Sequence, residues 1–424
     1  MKDLAATVRP MRISADAVIE LFFYACVILP SGSIGDLNVK QILFAATLLA
    51  ISVGAGRFGF TKAHASNAIW FVALLFAWVP LAYLTGRSDG LLPLSQFKDI
   101  AVTAATAFLV SLYITDEHKR DRFVRVVLYG IGITSAIKVI AYAYAAATGS
   151  SVSDFVKVIN EVFDQNLATL DDGGLGARFL FSSDSLLPVA LYALLSSKGR
   201  FGISAKFSVL LTMLFVFSAV VAFSRFIWMY SAIAVALAVI TTRLDRTKLV
   251  YIVLVGLTAA YFWQELTLLY ELRLSDEQVD FSDGLREEQR GPLYKFVADA
   301  PILGHGLGTY TVEIIREPVS MYGYELQLVA LVGQIGAVGT AILALLVAYY
   351  YRGVLDPRRP VVQSVSVAIL IALWIASGFQ NPWLASSSSG ITFGLLYSLA
   401  PSFRLGKRLQ QSRPDFAGEP AIHH

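Results

Sequence analysis

Residues 326–350 read LQLVALVGQIGAVGTAILALLVAYY, an unbroken run from Leu326 to Tyr350 without one charged side chain. A helix rises about 1.5 Å per residue, so such a run is long enough to cross a hydrocarbon core about 30 Å thick. In hydrocarbon the backbone must satisfy its own polar groups, and a helix does so within one segment. Similar blocks recur along the chain. We place spans near 15–30, 37–55, 66–85, 96–115, 124–147, 178–196, 204–223, 226–242, 249–268, 322–350, 361–379 and 388–401. The pattern predicts an all-α, polytopic membrane helical bundle of about twelve transmembrane helices, with residues 1–424 forming a single membrane domain.

The totals agree with this reading. Of 424 residues, 56% are hydrophobic and 15% charged, against about 25% charged in an ordinary soluble domain. The mean hydropathy is +0.62. The lone cysteine, Cys26, lies inside an apolar block. No intrachain disulfide and no Cys-based metal site is expected. The first apolar run is not followed by a small-residue cleavage pattern, so no cleaved leader is expected. A net charge of +3 gives no reason to expect a nucleic-acid partner.

Lys and Arg in the loops set the orientation. With the N-terminus in the cytoplasm, the cytoplasmic segments collect 22 of the 34 basic residues, among them Lys119, Arg120, Arg122, Arg125, Arg243, Arg246, Lys248 and Arg404. Every second loop is basic, which fits an even number of spans and two cytoplasmic termini. Two loops on the opposite side are long. The first covers about 148–177. The second, at 269–321 between spans nine and ten, holds ten acidic and five basic residues. The tail at 405–424 is polar and expected to be disordered in the cytoplasm. Pro30, Pro80 and Pro188 do not fall at matching places in two halves, which speaks against an inverted-repeat transporter.

Charges at membrane depth are costly and mark candidate sites. Arg178, in LGARFLFSSDSLLP, opens a span; it either binds an anion or snorkels to headgroups. Arg225, in VVAFSRFIWMY, sits in a very short turn between two spans. Its guanidinium matches phosphate, or it pairs with a carboxylate such as Glu265 or Asp184. Arg286 and Arg290 are four apart and share a helix face; Glu287 and Glu288 are alternative partners for both. An amphipathic helix is expected from Leu285 to Ala300, ended by Pro301. Gly304, Gly306 and Gly308 then form a flexible turn around His305, which is either a site residue or a turn residue satisfied by backbone. Tyr322, Tyr324, Glu325 and Gln327 lie where the chain re-enters the bilayer. A desolvated carboxylate at Glu325 suits general-base work; it could equally answer a helix dipole. Lys138 and Glu20, also in apolar runs, are assigned no chemistry; Lys138 is expected to pair with an acid.

Several cations beside one base suit a substrate carrying a pyrophosphate and a hydroxyl. The Arg groups would stabilise charge growing on a leaving diphosphate, and Glu325 would accept the proton. Such a scheme needs no metal and no cofactor, and none of the five His residues stands at ligand spacing.

These residues resemble the O-antigen ligase/polymerase superfamily of bacterial surface-polysaccharide enzymes. The likeness runs from about Arg178 to Val338. It rests on the Arg-led span start at Arg178, the turn at Ser224-Arg225, and Arg286 followed by Pro301-Ile302-Leu303-Gly304-His305-Gly306. The glycine steps at Gly333, Gly336 and Gly339 complete it. Ligases of the family carry a His at the loop end. This chain has Tyr322-Gly323-Tyr324-Glu325 there, which looks like the polymerase branch. The resemblance implies an inner-membrane glycosyltransferase with its active face in the periplasm. It also implies an undecaprenyl-diphosphate-linked saccharide as substrate, contact with membrane lipids, and a polysaccharide chain-length regulator as partner. Arg178, Arg225 and Arg286 would hold the diphosphate, with Arg290 beside them. Glu325 would be the base, with Tyr324 or His305 as its substitute. The expected reaction is polymerisation with inversion. The rivals are ligation of glycan to a lipid A core or protein, a transporter or flippase of lipid-linked saccharide, and a scaffolding membrane protein.

Overall fold

The computed structural model of the chain describes residues 14–29, 33–34, 37–54, 71–73, 75–163, 179–196, 201–242, 276–315, 320–354 and 360–400. Arg178, the span expected at 249–268 and the tail at 405–424 lie outside these residues. So do 164–177, 269–275 and 316–319 of the two long loops. One antiparallel pair of two-residue strands, β1 (Ser33–Ile34) and β2 (Leu37–Asn38), interrupts an otherwise helical set of elements.

The helices begin where short polar side chains can satisfy their orphan N–H groups. Helix α1 (Ala15–Ile28) starts at Ser14, whose hydroxyl accepts from the Ala17 N–H at 3.2 Å. Helix α2 (Val39–Val53) is capped in the same way by Asn38. Helices α3 (Trp78–Leu84) and α4 (Leu92–Tyr113) follow. Helix α5 (Glu117–Thr148) starts at Asp116, which accepts from the Lys119 N–H at 2.9 Å, and ends at Gly149 in the left-handed region. Then come α6 (Val152–Phe163), a 3-10 turn at Ser182–Leu186, α7 (Leu187–Ser196), α8 (Ala205–Val221) and α9 (Arg225–Thr241). The last group is α10 (Asp276–Asp299), α11 (Gln327–Tyr350), α12 (Val361–Ala376) and α13 (Ser387–Leu399).

Helices occupy the described parts of eleven of the twelve apolar blocks read from sequence. Three are long and apolar enough to cross a membrane: Glu117–Thr148, Gln327–Tyr350 and Val361–Phe379, the last including a 3-10 turn. By that measure the count of twelve is not reached among the described residues. Ala205–Val221 and Arg225–Thr241, for example, are apolar but have 17 residues each, about 26 Å of helix against a core of about 30 Å. Large apolar side chains nevertheless face outward, among them Leu49, Ile140 and Leu345. Helices apolar on the outer face as well as the inner one match a lipid solvent.

The main core joins α1, α2, α4, α5, α7, α8, α9, α12 and α13, with α4 against α13 and α7 against α9. Phe23 at its centre meets Tyr113 and Phe123 edge to face. Lys138 and Asp184 form a fully buried ion pair at 2.6 Å, so Lys138 does find its acid. Asp184 also accepts from the Phe181 N–H at 2.7 Å, which fixes the start of the 3-10 turn.

Helix α10 packs along α11. It starts earlier than expected, runs through Pro292, and stops before Pro301. The residue before a proline is pushed out of helical geometry, which ends the helix there. The following segment is held tightly, contrary to the flexible turn expected from its glycines. It threads between α3, α4 and a break in α11 at Gly336, where φ is 64° and ψ −173°. His305 N–H donates to the Gly333 carbonyl and Gly306 N–H to the Gln334 carbonyl. In return, Ala337 N–H donates to the Pro301 carbonyl, and Leu307 N–H bonds the Trp78 carbonyl on the far side. At Gly306 a Cβ would lie 2.2 Å from the Ala82 backbone nitrogen. The glycines here permit close backbone approach.

Candidate functional site

The first pair to be placed is Arg286 and Glu325. Arg286 lies on α10, and Glu325 ends the loop just before α11. The guanidinium Nε sits 3.2 Å from Glu325 Oε2, with both side chains mostly buried. The approach lacks hydrogen-bond alignment, so charge holds the two together. Arg286 thus pairs with Glu325 on the neighbouring loop. Glu287 instead pairs with Arg290 at 2.5 Å, on the exposed side of α10. Four residues of spacing place Arg286 and Arg290 on neighbouring positions, but the acid one turn back draws Arg290 outward.

A residue not singled out from sequence sets the geometry. Gln289 is buried on the face of α10 that includes Leu293 and Phe296. Its Oε1 accepts from the Glu325 N–H at 3.0 Å and the Leu326 N–H at 3.5 Å. Leu326 has no side chain able to cap α11, so α10 supplies the cap from outside. Glu325 is thereby held against Arg286 by backbone as well as by charge. A neutral amide inside an amphipathic helix gives no sequence signal for this role.

The tyrosines beside Glu325 hold the loop in place. Tyr324 is buried; its hydroxyl accepts from the Thr311 N–H at 3.0 Å and approaches the Ile314 carbonyl at 3.4 Å. A buried, occupied phenol is a poor substitute base. Tyr322 donates to Asp99 Oδ2 on α4 at 3.0 Å.

Arg225 opens α9 directly after a strained turn. Phe223 has φ 47°, a rare value for a bulky residue. Its ring packs beside Trp228, and the Ser224 hydroxyl caps the helix by accepting from the Ile227 N–H. The start of this helix is linked to the start of α11 through the segment before α13. Phe226 meets Trp383 with ring centroids 5.7 Å apart. The neighbouring Leu384 N–H donates to Gln327 Oε1 at 2.9 Å. The same segment reaches Ser182 through Ser388, and Thr103 of α4 through the Ser386 carbonyl. Residues 383 and 384 thus meet both the residue after Arg225 and the first residue of α11, two positions beyond Glu325. Asp184, considered as a partner for Arg225, is taken by Lys138; Glu265 and Arg178 lie outside the described residues.

His305 is buried, with its ring stacked on Phe296 at 4.4 Å. Nε2 lies 2.8 Å from the Phe296 carbonyl and 3.4 Å from Arg87 Nη1. A carbonyl only accepts and a guanidinium only donates, so one nitrogen cannot serve both. The shorter contact assigns the proton to Nε2. Burial lowers the pKa of this ring, and the Phe296 bond opposes that shift. His305 is therefore placed as a satisfied turn residue. Among the described residues, no group of three or more His, Cys, Asp or Glu side chains is positioned to hold a metal ion.

The chain matches no family model, no curated protein and no solved structure.

Proposed function

We propose that the chain is a glycan polymerase of the bacterial inner membrane. It would transfer saccharide from an undecaprenyl diphosphate carrier to a hydroxyl of the next lipid-linked unit. In this reading the bundle has about twelve spans and cytoplasmic termini, and the Arg286–Glu325 end faces the periplasm. The shorter helices cross a locally thinned bilayer or pair with their neighbours. Membrane lipids surround the bundle, and a chain-length regulator would act beside it.

The observation that carries this reading is the Arg286–Glu325 ion pair, mostly buried and held by charge; Arg225 would join it across the segment at 383–384. A guanidinium fork matches phosphate geometry as it matches carboxylate. An arriving diphosphate would draw Arg286 away from Glu325 and leave the carboxylate free as a base. The acceptor oxygen attacks the anomeric carbon from the side opposite the leaving group. The new C–O bond forms as the bond to the phosphate oxygen breaks. The hydroxyl proton passes to Glu325, and the electron pair leaves with the diphosphate, stabilised by Arg286 and Arg225. The configuration inverts.

The test uses full-length protein in lipid nanodiscs supplied with undecaprenyl-diphosphate-linked repeat units. A ladder of longer lipid-linked glycans is expected. Glu325→Gln should lower kcat by about 10²–10⁴-fold, the usual contribution of a positioned base, in protein that keeps its helical fold. Glycan appearing only on a lipid A core or protein would make the chain a ligase. Unaltered glycan moved to the other leaflet would make it a flippase. A Glu325→Gln variant elongating at the parental rate would remove the proposed base.

A further inference from the structure

A concave site lies along α10 from the Arg286–Glu325 pair. It is a cleft of about 350 Å³, walled by residues 86–89 before α4, residues 292–299 of α10, and residues 310–313. This is within the size range of small-ligand sites. Lys295 is nine positions beyond Arg286, about 14 Å along the helix at 1.5 Å per residue.

The wall is built from paired charges. Arg87 faces Asp299 at 3.4 Å, Lys295 binds Glu313 at 2.7 Å, and the Tyr310 hydroxyl donates to Asp89. Phe296 and Pro292 supply an apolar floor. These three carboxylates outnumber the two cations, and each cation already has a carboxylate partner. A phosphate would have to displace one carboxylate while facing the others, so this cleft does not suit a diphosphate. It suits a neutral ligand whose many hydroxyls both donate and accept and whose ring faces are apolar. That is the chemistry of a saccharide.

The cleft and the reaction centre are mechanically joined. Thr311 lines the cleft, and its N–H is held by the Tyr324 hydroxyl; the residue after Tyr324 is Glu325. The Tyr310–Asp89 bond ties the first wall to the third, and the Ser88 hydroxyl donates to the nearby Gly308 carbonyl. A ligand seated here would lie on walls continuous with the base.

We infer that this cleft is a saccharide subsite, binding sugar units of the glycan away from the diphosphate. The assignment rests on the reading of the chain as a glycan-transferring enzyme and names where that glycan sits. Asp89, Tyr310 and Glu313 are its recognition residues.

The experiment measures binding of the full-length protein in nanodiscs to an array of phosphate-free bacterial surface oligosaccharides, with elongation assayed in parallel. At least one oligosaccharide should bind. Asp89→Asn and Glu313→Gln should each weaken it by about tenfold, the effect of about 1.4 kcal/mol, with unchanged melting temperature. Tyr310→Phe, which keeps the ring, should weaken it less than Tyr310→Ala. Inorganic pyrophosphate should not compete. Absence of glycan binding, equal binding by the carboxylate variants, or competition by pyrophosphate would each overturn the subsite. Elongation that persists with such a result leaves the polymerase reading standing. Variant-sensitive glycan binding without elongation keeps the subsite and removes the polymerase.

Discussion

His305 shows how a residue type associated with chemistry can instead hold a turn. Its Nε2 donates to the Phe296 carbonyl, and burial holds its pKa below the ordinary 6.5. The neutral ring is thus the form the fold retains. Above pH 6.5 the ring is mostly neutral in folded and unfolded chains alike, and its full contribution is present. As pH falls below that value the unfolded chain takes up the proton first, so stability declines towards the folded pKa. Amide-exchange protection of residues 301–309 should therefore fall between pH 7 and pH 5 in the parent and change less in His305→Asn; parallel profiles would refute this. The contrast with Arg286 and Glu325 is instructive. Both were legible because a charge beside an apolar span must find a partner. Gln289 and Arg87 were not, since an amide on a helix and an arginine in a loop are ordinary. Tyr324 was legible as a residue of the site, but its inward orientation depends on Thr311 and Ile314, distant in sequence.

At the scale of elements, the segment after α10 depends on three glycines for different reasons from a surface turn. Gly306 combines φ of 101° with a Cβ position overlapping the Ala82 backbone, whereas Gly86 has φ of 63° and open space around it. Gly86→Ala should cost only the left-handed backbone penalty, about 1–2 kcal/mol. Gly306→Ala adds an overlap that no rotamer relieves, about 1–3 kcal/mol more, and should force the segment away from α3. Thermal unfolding of the two variants in the same detergent should rank Gly306→Ala well below Gly86→Ala, and equal midpoints would contradict the close packing. Sequence periodicity found the helices because long apolar runs leave little choice of structure in lipid. It also found the end of α10, since Pro301 cannot continue it. It missed the rigidity of Gly304–Gly308 because a glycine needed for close approach reads like a glycine needed for freedom. Only the partners, Gln334 and Ala82 among them, distinguish the two.

For the whole molecule, the basic loops and the placed ion pairs define two chemically different ends. Lys119 pairs with Asp16, and Arg122 with Glu20, at the end read as cytoplasmic. Arg286–Glu325 and the cleft beside Lys295 lie at the other. The overall helical architecture was legible because hydropathy acts residue by residue, while the crossing number depends on where each helix starts and stops, which caps and neighbours decide. The sidedness can be tested directly, because Cys26 is fully buried and the chain has no other cysteine. Asp154→Cys and Val312→Cys should react with a membrane-impermeant maleimide on cells whose outer membrane has been permeabilised. His118→Cys and Lys206→Cys, on exposed positions at the basic end, should react only after the inner membrane is broken. The reverse pattern would put the Arg286–Glu325 pair in the cytoplasm, where a periplasmic polymerase cannot work. Labelling of Asp154→Cys and His118→Cys from one side would mean that α5, 32 residues long, does not cross the membrane, and the alternation of basic loops would lose its physical basis.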